Sequence, residues 1–174
     1  ARFFPDARLN LVETFLAMTG GGPALTEAGE DGRRRTVTWD HLRAQVAALA
    51  ASLAETGVGP GHRVAAWLPN IPETIVTMLA TAAVGATFSS TSPDFGTAGV
   101  LDRFGQIEPT VLVAADGYVY GGKANDCRPR LAEIRTGLPT LRRTIVVPYL
   151  ATDLPTGVEP WPDVLAAHAG ADLA

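Results

Sequence analysis

Apolar positions along this chain alternate between two spacings. A stripe at helical spacing runs from Leu42 to Leu53, and a continuous apolar run, typical of a buried strand, follows at Arg63–Leu68. The same switch then repeats towards the end of the chain. It predicts strands at 36–39, 63–68, 86–90, 110–115 and 144–147, and helices at 9–18, between 38 and 57, and at 72–84, 97–107, 130–136 and 161–168.

This alternation predicts the fold class. Strands separated by helices of this length indicate βαβ units, whose right-handed crossovers give a parallel sheet with helices on both faces. We therefore expect an α/β fold with a doubly wound, mostly parallel sheet. The glycine-rich stretch 20–23 is typical of a flexible break. It predicts an N-terminal arm with a short helix at 1–22 and an incomplete α/β subdomain at 23–174.

The composition mainly excludes classes of partner and of cellular location. The chain has 174 residues, 47% hydrophobic and 18% charged, with a formal net charge of −4, which argues against nucleic acid or an anionic membrane as partner. No apolar run reaches the roughly 18 residues that span a bilayer. Cys127 is the only cysteine, so we expect no disulfide framework and a reducing, cytoplasmic location. We expect Arg33–Arg35 to form a solvated turn, with a phosphate contact as the alternative.

The common catalytic motifs are absent from the sequence. It contains no phosphate-binding loop ending in Gly-Lys-Ser/Thr, no Gly-x-Gly-x-x-Gly, no Gly-x-Ser-x-Gly, no His-Glu-x-x-His and no Cys-x-x-Cys. His41, His62 and His168 lack the spacing of metal ligands. We therefore predict no catalytic residue and no metal ligand in this chain, and we assign Trp39, Trp67 and Phe104 to the core.

Two segments carry polar groups that suit a ligand. In the first, the four small hydroxylated residues Ser89–Ser92 close a predicted strand, and a turn through Pro93 and Gly96 leads to the next helix. Hydroxyl and backbone N–H groups at the carboxyl end of a parallel strand can bind a phosphate or an amide. The alternative is an ordinary turn in which Ser92 or Asp94 caps the helix.

The second segment is Tyr118–Lys123, just past the strand at 110–115. Its two glycines permit the close approach of a ligand, Lys123 supplies a point charge for a phosphate, and the tyrosines offer aromatic faces. The alternative is an exposed, hairpin-like loop. The spacing of these residues leaves both interpretations open.

The sequence also resembles the acetoacetyl-CoA synthetases, which belong to the adenylate-forming acyl-CoA synthetase superfamily. The most specific runs are Ser-Pro-Asp-Phe-Gly at 92–96, Asp-Arg-Phe-Gly-Gln-Ile-Glu-Pro at 102–109, and Ala-Ala-Asp-Gly-Tyr at 114–118. Phe-Pro-Asp-Ala-Arg-Leu-Asn at 4–10 is similar to the family's N-terminal arm, and Val-Ala-Ala-Trp-Leu-Pro-Asn at 64–70 to the superfamily's first core strand. Acetyl- and propionyl-CoA synthetases share the Ser-Pro core but not the run at 102–109.

The resemblance implies an activity for a protein larger than this chain. Such ligases activate acetoacetate with ATP and Mg²⁺ to an acyl-adenylate, and then transfer the acyl group to the thiol of coenzyme A. The chain would be the first part of their large N-terminal domain and inactive alone, with the acid, CoA and the remainder of the same polypeptide as partners. Cutting a doubly wound sheet exposes a strand edge, so we expect self-association. The alternatives are an acetyl- or propionyl-CoA synthetase and a non-catalytic α/β binding module.

The resemblance also implies site residues. In the related acetyl-CoA synthetases, the loop after the third strand contacts the nucleotide end of CoA through two basic residues, and a backbone glycine approaches the same ligand. Those positions fall on Tyr120, Lys123 and Ser90 of this sequence. Lys123 keeps the positive charge, whereas Tyr120 and Ser90 depart from the family's pattern. The resemblance therefore implies Lys123, Tyr120 and Ser90 as CoA-binding residues.

Overall fold

The computed structural model describes residues 3, 5–150 and 153–173. Phe4, which opens the arm segment that resembles the ligases, lies outside these residues. The elements of the described chain are, in order, α1 (Leu11–Phe15), β1 (Pro23–Ala28), β2 (Arg34–Thr38), α2 (Trp39–Glu55), β3 (Arg63–Trp67), α3 (Pro72–Ala83), β4 (Thr87–Thr91), α4 (Thr97–Gly105), β5 (Val111–Ala115), β6 (Gly117–Tyr120), β7 (Lys123–Asp126), α5 (Arg128–Gly137), β8 (Arg143–Val147), β9 (Glu159–Pro160) and α6 (Trp161–Ala167).

A parallel sheet of five strands, in the order β4-β3-β5-β8-β9, forms the centre of the fold. After β4 the chain crosses back over β3 to form β5, so α3 and α4 pack on opposite faces of the sheet. The topological switch point therefore lies between β3 and β5. This topology confirms the predicted doubly wound α/β fold.

Alternate residues of the buried strands face two separate apolar clusters. Val64 and Ala66 of β3 pack with α2, α3 and α6, whereas Ala65 and Trp67 pack with α4 and α5. Trp67 and Phe104 are fully buried in the second cluster, as the sequence predicts. A strand buried on both faces reads as a continuous apolar run, which explains the pattern seen at 63–68.

The N-terminal arm packs on the body through a short helix. The Asn10 side chain caps α1 by accepting from the Val12 N–H at 3.0 Å, and its amide donates to the carbonyl oxygens of Ala82 and Ala83 at the end of α3. Val12 is buried, as the helical spacing predicts. The predicted start of this helix at residue 9 is wrong, and the Leu9 side chain is 89% exposed. Asn10 ends the extended segment, so Leu9 lies outside the helix.

An antiparallel hairpin of β1 and β2 lies outside the main sheet, and β1 is absent from the predicted elements. Arg35 of β2 donates to Glu27 of β1 at 2.9 Å and, through both terminal nitrogens, to Glu73 of α3 at 2.7 Å. Both carboxylates are buried. They raise the pKa of Arg35 above its ordinary value, and the hydrogen bonds to Glu73 are the main cause. The expected solvated turn at Arg33–Arg35 is therefore wrong for Arg34 and Arg35, which belong to β2, and Arg35 also pairs with two buried acids.

Candidate functional site

The polar segments predicted from the sequence lie at the carboxyl end of the parallel sheet. Ser89–Thr91 end β4, an edge strand, and Ser90 pairs in register with Ala66 of β3. The Ser90 side chain is exposed, whereas Thr91 is buried. This end of the sheet is where ligands bind in open α/β folds, so the placement agrees with a ligand-facing role for the segment.

The turn after β4 is held by contacts from α5. Arg130 donates to the Pro93 carbonyl at 3.0 Å, and its guanidinium lies 5.4 Å from the ring centroid of Trp67. Helix α4 begins after Gly96 without a side-chain cap, so the alternative of a Ser92 or Asp94 cap is wrong. The conformation of the turn therefore rests on a cation from a distant helix, which the local sequence does not indicate.

The segment Tyr118–Lys123 forms the hairpin β6–β7, as the second interpretation of this segment predicts. Tyr120 and Lys123 pair directly across the last rung, and Gly121 and Gly122 make the two-residue turn with φ of 57° and 73°. Positive φ at both positions is the geometry of a type I′ turn, which favours glycine. Tyr120 is 70% exposed and Lys123 is also exposed. Because directly opposed residues share a face, the hairpin presents a cation beside an aromatic ring.

The base of this hairpin is tightly packed. Asp116, buried between β5 and β6, accepts from the backbone N–H groups of Tyr149 and Leu150 at 2.7 and 2.8 Å. The Asp116 carbonyl accepts from the Cys127 N–H at 2.7 Å, which closes the hairpin on the other side. Burial raises the pKa of the Cys127 thiol to about 11, so the thiol stays protonated at neutral pH.

The tip of the hairpin has a partner that sequence reasoning did not find. The Gly121 N–H donates to a carboxylate oxygen of Glu30 at 2.7 Å, from the turn between β1 and β2. The two residues are 91 positions apart, so no local signal indicates the contact. Glu30 and Arg130 therefore contact the predicted site segments in a way that only the three-dimensional structure shows.

The three residues implied by the resemblance do not form one cluster. The structure brings Tyr120 and Lys123 together, but Ser90 lies on β4, separated from β5 by β3. In the described part of the chain, no hydrogen bond or ion pair joins Ser90 to either of them. A ligand that contacted all three would have to extend along the carboxyl end of the sheet.

The histidines take part in local contacts rather than in a shared site. The His41 backbone N–H donates to the capping Thr38, His62 contacts the backbone of Gly59, and His168 lies 2.8 Å from a Glu55 oxygen. Among residues 3, 5–150 and 153–173, no three His, Cys, Asp or Glu side chains gather as they would around a metal ion. No helix among those residues has both the length and the apolar character to cross a membrane.

Comparison with known proteins identifies relatives of this chain. The model of the AMP-binding enzyme family matches residues 12–167. The acetoacetyl-coenzyme A synthetase of Rhizobium meliloti (strain 1021) is 52% identical over 149 residues, which are 86% of this chain and 23% of that protein. The acetoacetyl-CoA synthetase of Mus musculus is 40% identical over 150 residues, covering 85% of this chain and 22% of that protein.

A solved structure gives the same result at the level of the fold. The acetoacetyl-CoA synthetase from Streptomyces lividans superposes with a TM-score of 0.93 and 48% identity, over 99% of this chain and 27% of that one. The chain thus spans about a quarter of the length of the relatives that it matches.

Proposed function

Because this chain belongs to the AMP-binding enzyme family, we propose that the protein carrying it is an ATP-dependent acid–CoA ligase that converts acetoacetate to acetoacetyl-CoA. The observation that carries the proposal is the 52% identity to an acetoacetyl-coenzyme A synthetase over 86% of the chain. In this proposal the acetoacetate carboxylate attacks the α-phosphorus of ATP and displaces pyrophosphate. The CoA thiolate then attacks the acyl carbon, and AMP leaves.

The part of this chemistry that we assign to the chain is the recognition of CoA. Lys123 provides the positive charge that attracts a phosphate, and the Tyr120 ring on the same face of the hairpin offers a surface for an adenine base. Ser90, on the other side of β3, would contact a different part of an extended CoA molecule. The exposure of all three side chains supports this assignment.

Other features of the proposal concern the whole protein. We propose Mg²⁺ as a cofactor, but we assign it no ligand here, since the described residues gather no set of three potential metal-binding side chains. The remainder of the same polypeptide, acetoacetate and CoA are the proposed partners, and the cytoplasm is the proposed location. The division into an arm at 1–22 and a subdomain at 23–174 stays a prediction, as does self-association of the isolated chain.

The first test measures ATP–pyrophosphate exchange by the full-length protein with a panel of acids. Acetoacetate should support the fastest exchange, and acetate and propionate should be poor substrates. Faster exchange with acetate or propionate would identify a short-chain acyl-CoA synthetase instead. No exchange with any acid would favour the non-catalytic binding module.

A second test addresses the assigned site through the Lys123→Ala variant. Loss of one exposed lysine–phosphate contact should raise the KM for CoA about tenfold. It should leave ATP–pyrophosphate exchange unchanged, because that half-reaction does not use CoA. Arg142→Ala is the matched control, since it removes an exposed cation at the opposite end of the sheet.

Lys123 is also the only lysine of the chain, which permits a direct labelling measurement. An amine-reactive ester applied to the isolated chain can acylate only the unprotonated Lys123 side-chain amine and the unprotonated α-amino group. CoA should slow the labelling of Lys123 and leave that of the α-amino group unchanged. Equal labelling rates with and without CoA would contradict the assigned site.

A further inference from the structure

The hairpin that carries Lys123 is anchored at its tip by a different hairpin. The carboxylate of Glu30 accepts the Gly121 N–H at 2.7 Å, and Gly121 precedes Lys123 by two residues. The contact joins the turn between β1 and β2 to the turn between β6 and β7. An isolated two-stranded hairpin is at best marginally stable in water. An anchor at the tip of this hairpin therefore affects the position of Tyr120 and Lys123.

The turn that supplies Glu30 has a fixed shape of its own. The Gly29 N–H donates to the Arg33 carbonyl at 2.9 Å, and the Gly32 N–H donates to the Gly29 carbonyl at 3.1 Å. The Asp31 side chain accepts from the Arg33 N–H at 3.0 Å. Because these bonds fix the backbone on both sides of Glu30, the carboxylate extends from a defined support.

A second contact connects the same turn to the base of the β6–β7 hairpin. The Arg33 guanidinium lies 4.2 Å from the ring centroid of Tyr149, and the Tyr149 N–H donates to the Asp116 side chain. Asp116 directly precedes β6, and its carbonyl accepts from the Cys127 N–H. The β1–β2 turn is therefore joined to both the tip and the base of the hairpin, and the contacts form a closed ring.

We propose that Glu30 is a positioning residue for CoA recognition, which holds the Gly121–Gly122 turn so that Lys123 and Tyr120 present one fixed face to the ligand. This inference rests on the proposed function of the hairpin. Two consecutive glycines give the free turn wide conformational freedom. Without the carboxylate, CoA binding would have to order the turn, and that loss of entropy would weaken its affinity.

The charge of Glu30 acts in the opposite direction from its hydrogen bond. A carboxylate near Lys123 repels the phosphates of CoA, whereas the acceptor oxygen holds the turn in place. Glu30→Gln keeps an acceptor oxygen and removes the charge, and Glu30→Ala removes both. The pair of variants therefore separates positioning from electrostatics.

The test is steady-state kinetics of the full-length protein with these two variants. Glu30→Ala should raise the KM for CoA about three- to tenfold, as expected for the loss of a charge-assisted hydrogen bond at an exposed site. Glu30→Gln should bind CoA at least as well as the parent. Both variants should leave ATP–pyrophosphate exchange and the KM for ATP unchanged. Glu13→Gln, an exposed glutamate of α1, is the matched control for the charge change.

A double-mutant cycle with Lys123→Ala shows whether Glu30 acts through Lys123. In the Lys123→Ala background, Glu30→Ala should have a much smaller effect on the KM for CoA than it has alone. If the effects of Glu30→Ala and Lys123→Ala on the KM for CoA are fully additive, the proposal is overturned. It is also overturned if the KM for CoA falls equally in Glu30→Ala and Glu30→Gln. Hydrogen exchange gives a direct readout: the Gly121 amide should exchange faster in Glu30→Ala, and an unchanged rate would also overturn it.

The outcomes distinguish this inference from the function on which it rests. If Lys123→Ala leaves the KM for CoA unchanged, the hairpin does not bind CoA. The assigned CoA contact and the positioning role of Glu30 then both fail. If Lys123→Ala raises it while Glu30→Ala does not, the assigned CoA contact stands and only the positioning role of Glu30 is overturned.

Discussion

Within the described residues, two hairpins lie outside the main sheet, and they differ in what their side chains contact. In β1–β2, Val37 enters the main core and Arg35 pairs with two buried carboxylates. In β6–β7, the strands are shorter, and Tyr120 and Lys123 extend into solvent. The β1–β2 hairpin therefore packs against the rest of the fold, whereas the β6–β7 hairpin presents side chains to solvent.

The difference follows from where each hairpin obtains its stability. The pair β1–β2 contacts α3 through Arg35 and the core through Val37, and backbone hydrogen bonds close its turn. The pair β6–β7 is fixed at its base and at its tip, and Tyr118 packs partly against the second apolar cluster, while Tyr120 and Lys123 stay exposed. A binding surface can stay exposed because other parts of the chain hold its backbone.

The largest expected effect comes from breaking the anchor of β1–β2. Arg35→Met leaves the Glu27 and Glu73 carboxylates buried without their cation, and we expect it to lower the free energy of unfolding by about 2–3 kcal/mol. This value is below the full effect of breaking a buried pair, because the Arg35 side chain is 43% exposed. Urea denaturation followed by circular dichroism measures the change. Arg34→Met, an exposed neighbour on the same strand, should change it little.

An intermediate effect is expected at the base of β6–β7. A Cβ added at Gly117 would lie 2.5 Å from the Asn125 carbonyl oxygen and overlap the Leu150 side chain. Gly117→Ala should therefore lower the free energy of unfolding by about 1–3 kcal/mol, as in other overpacked sites. It should also accelerate reaction of Cys127 with a disulfide reagent, since the buried thiol has a pKa of about 11 and reacts slowly while the base is closed.

Gly96→Ala is the control for this substitution, because the added Cβ would meet nothing within 4 Å. Its Cys127 reactivity should equal that of the parent chain. Slow modification of Cys127 in Gly117→Ala would show that the hairpin base tolerates the methyl group. The base of β6–β7 would then not be a tightly packed anchor comparable to the Arg35 contacts of β1–β2.

The smallest effect concerns acid stability at the end of β7. Hydrogen bonds from the Arg128 side chain and backbone lower the pKa of Asp126 below its usual value of 3.8. A carboxyl group whose pKa is lower in the folded chain than in the unfolded chain stabilises the fold at every pH above its unfolded-state pKa. This stabilisation is lost as the pH falls through its folded-state pKa. The parent chain should therefore lose stability more steeply below about pH 4 than Asp126→Asn does.

The measurement is a series of thermal melts between pH 2 and pH 7, with Asp102→Asn on the exposed surface of α4 as control. The difference in slope should be confined to the acid end of the series. Parallel curves for the parent and Asp126→Asn would show that the Asp126–Arg128 contact contributes nothing to the hairpin.

The sequence predicts the sheet well because its signals are local. The switch between strand and helix periods gives β3, α3, β4, α4 and β5 within a few residues, and the glycine pair at 121–122 indicates the β6–β7 turn. The Thr38 hydroxyl caps α2 by accepting from the His41 N–H, as is typical of a threonine directly before a helix. Each of these predictions depends on residues that are close together along the chain.

The features that the sequence does not predict depend on distant residues. The sequence does not predict β1, because its buried position is Glu27, a charged residue that pairs with Arg35 on the opposite strand. β9 has two residues, which are too few to show a period. The contact between Glu30 and Gly121 spans 91 positions, and nothing near either residue indicates it.

The place of β3 in the sheet also imposes an order on folding. Its neighbours β4 and β5 both follow it along the chain, so β3 is synthesised before either partner strand. Val64 to Trp67 are all buried in the finished fold, and during synthesis they stay uncovered until later crossovers arrive. Non-local parallel pairing forms slowly. β3 is therefore a segment of this chain that exposes apolar surface while translation continues, as aggregation-prone folding intermediates do.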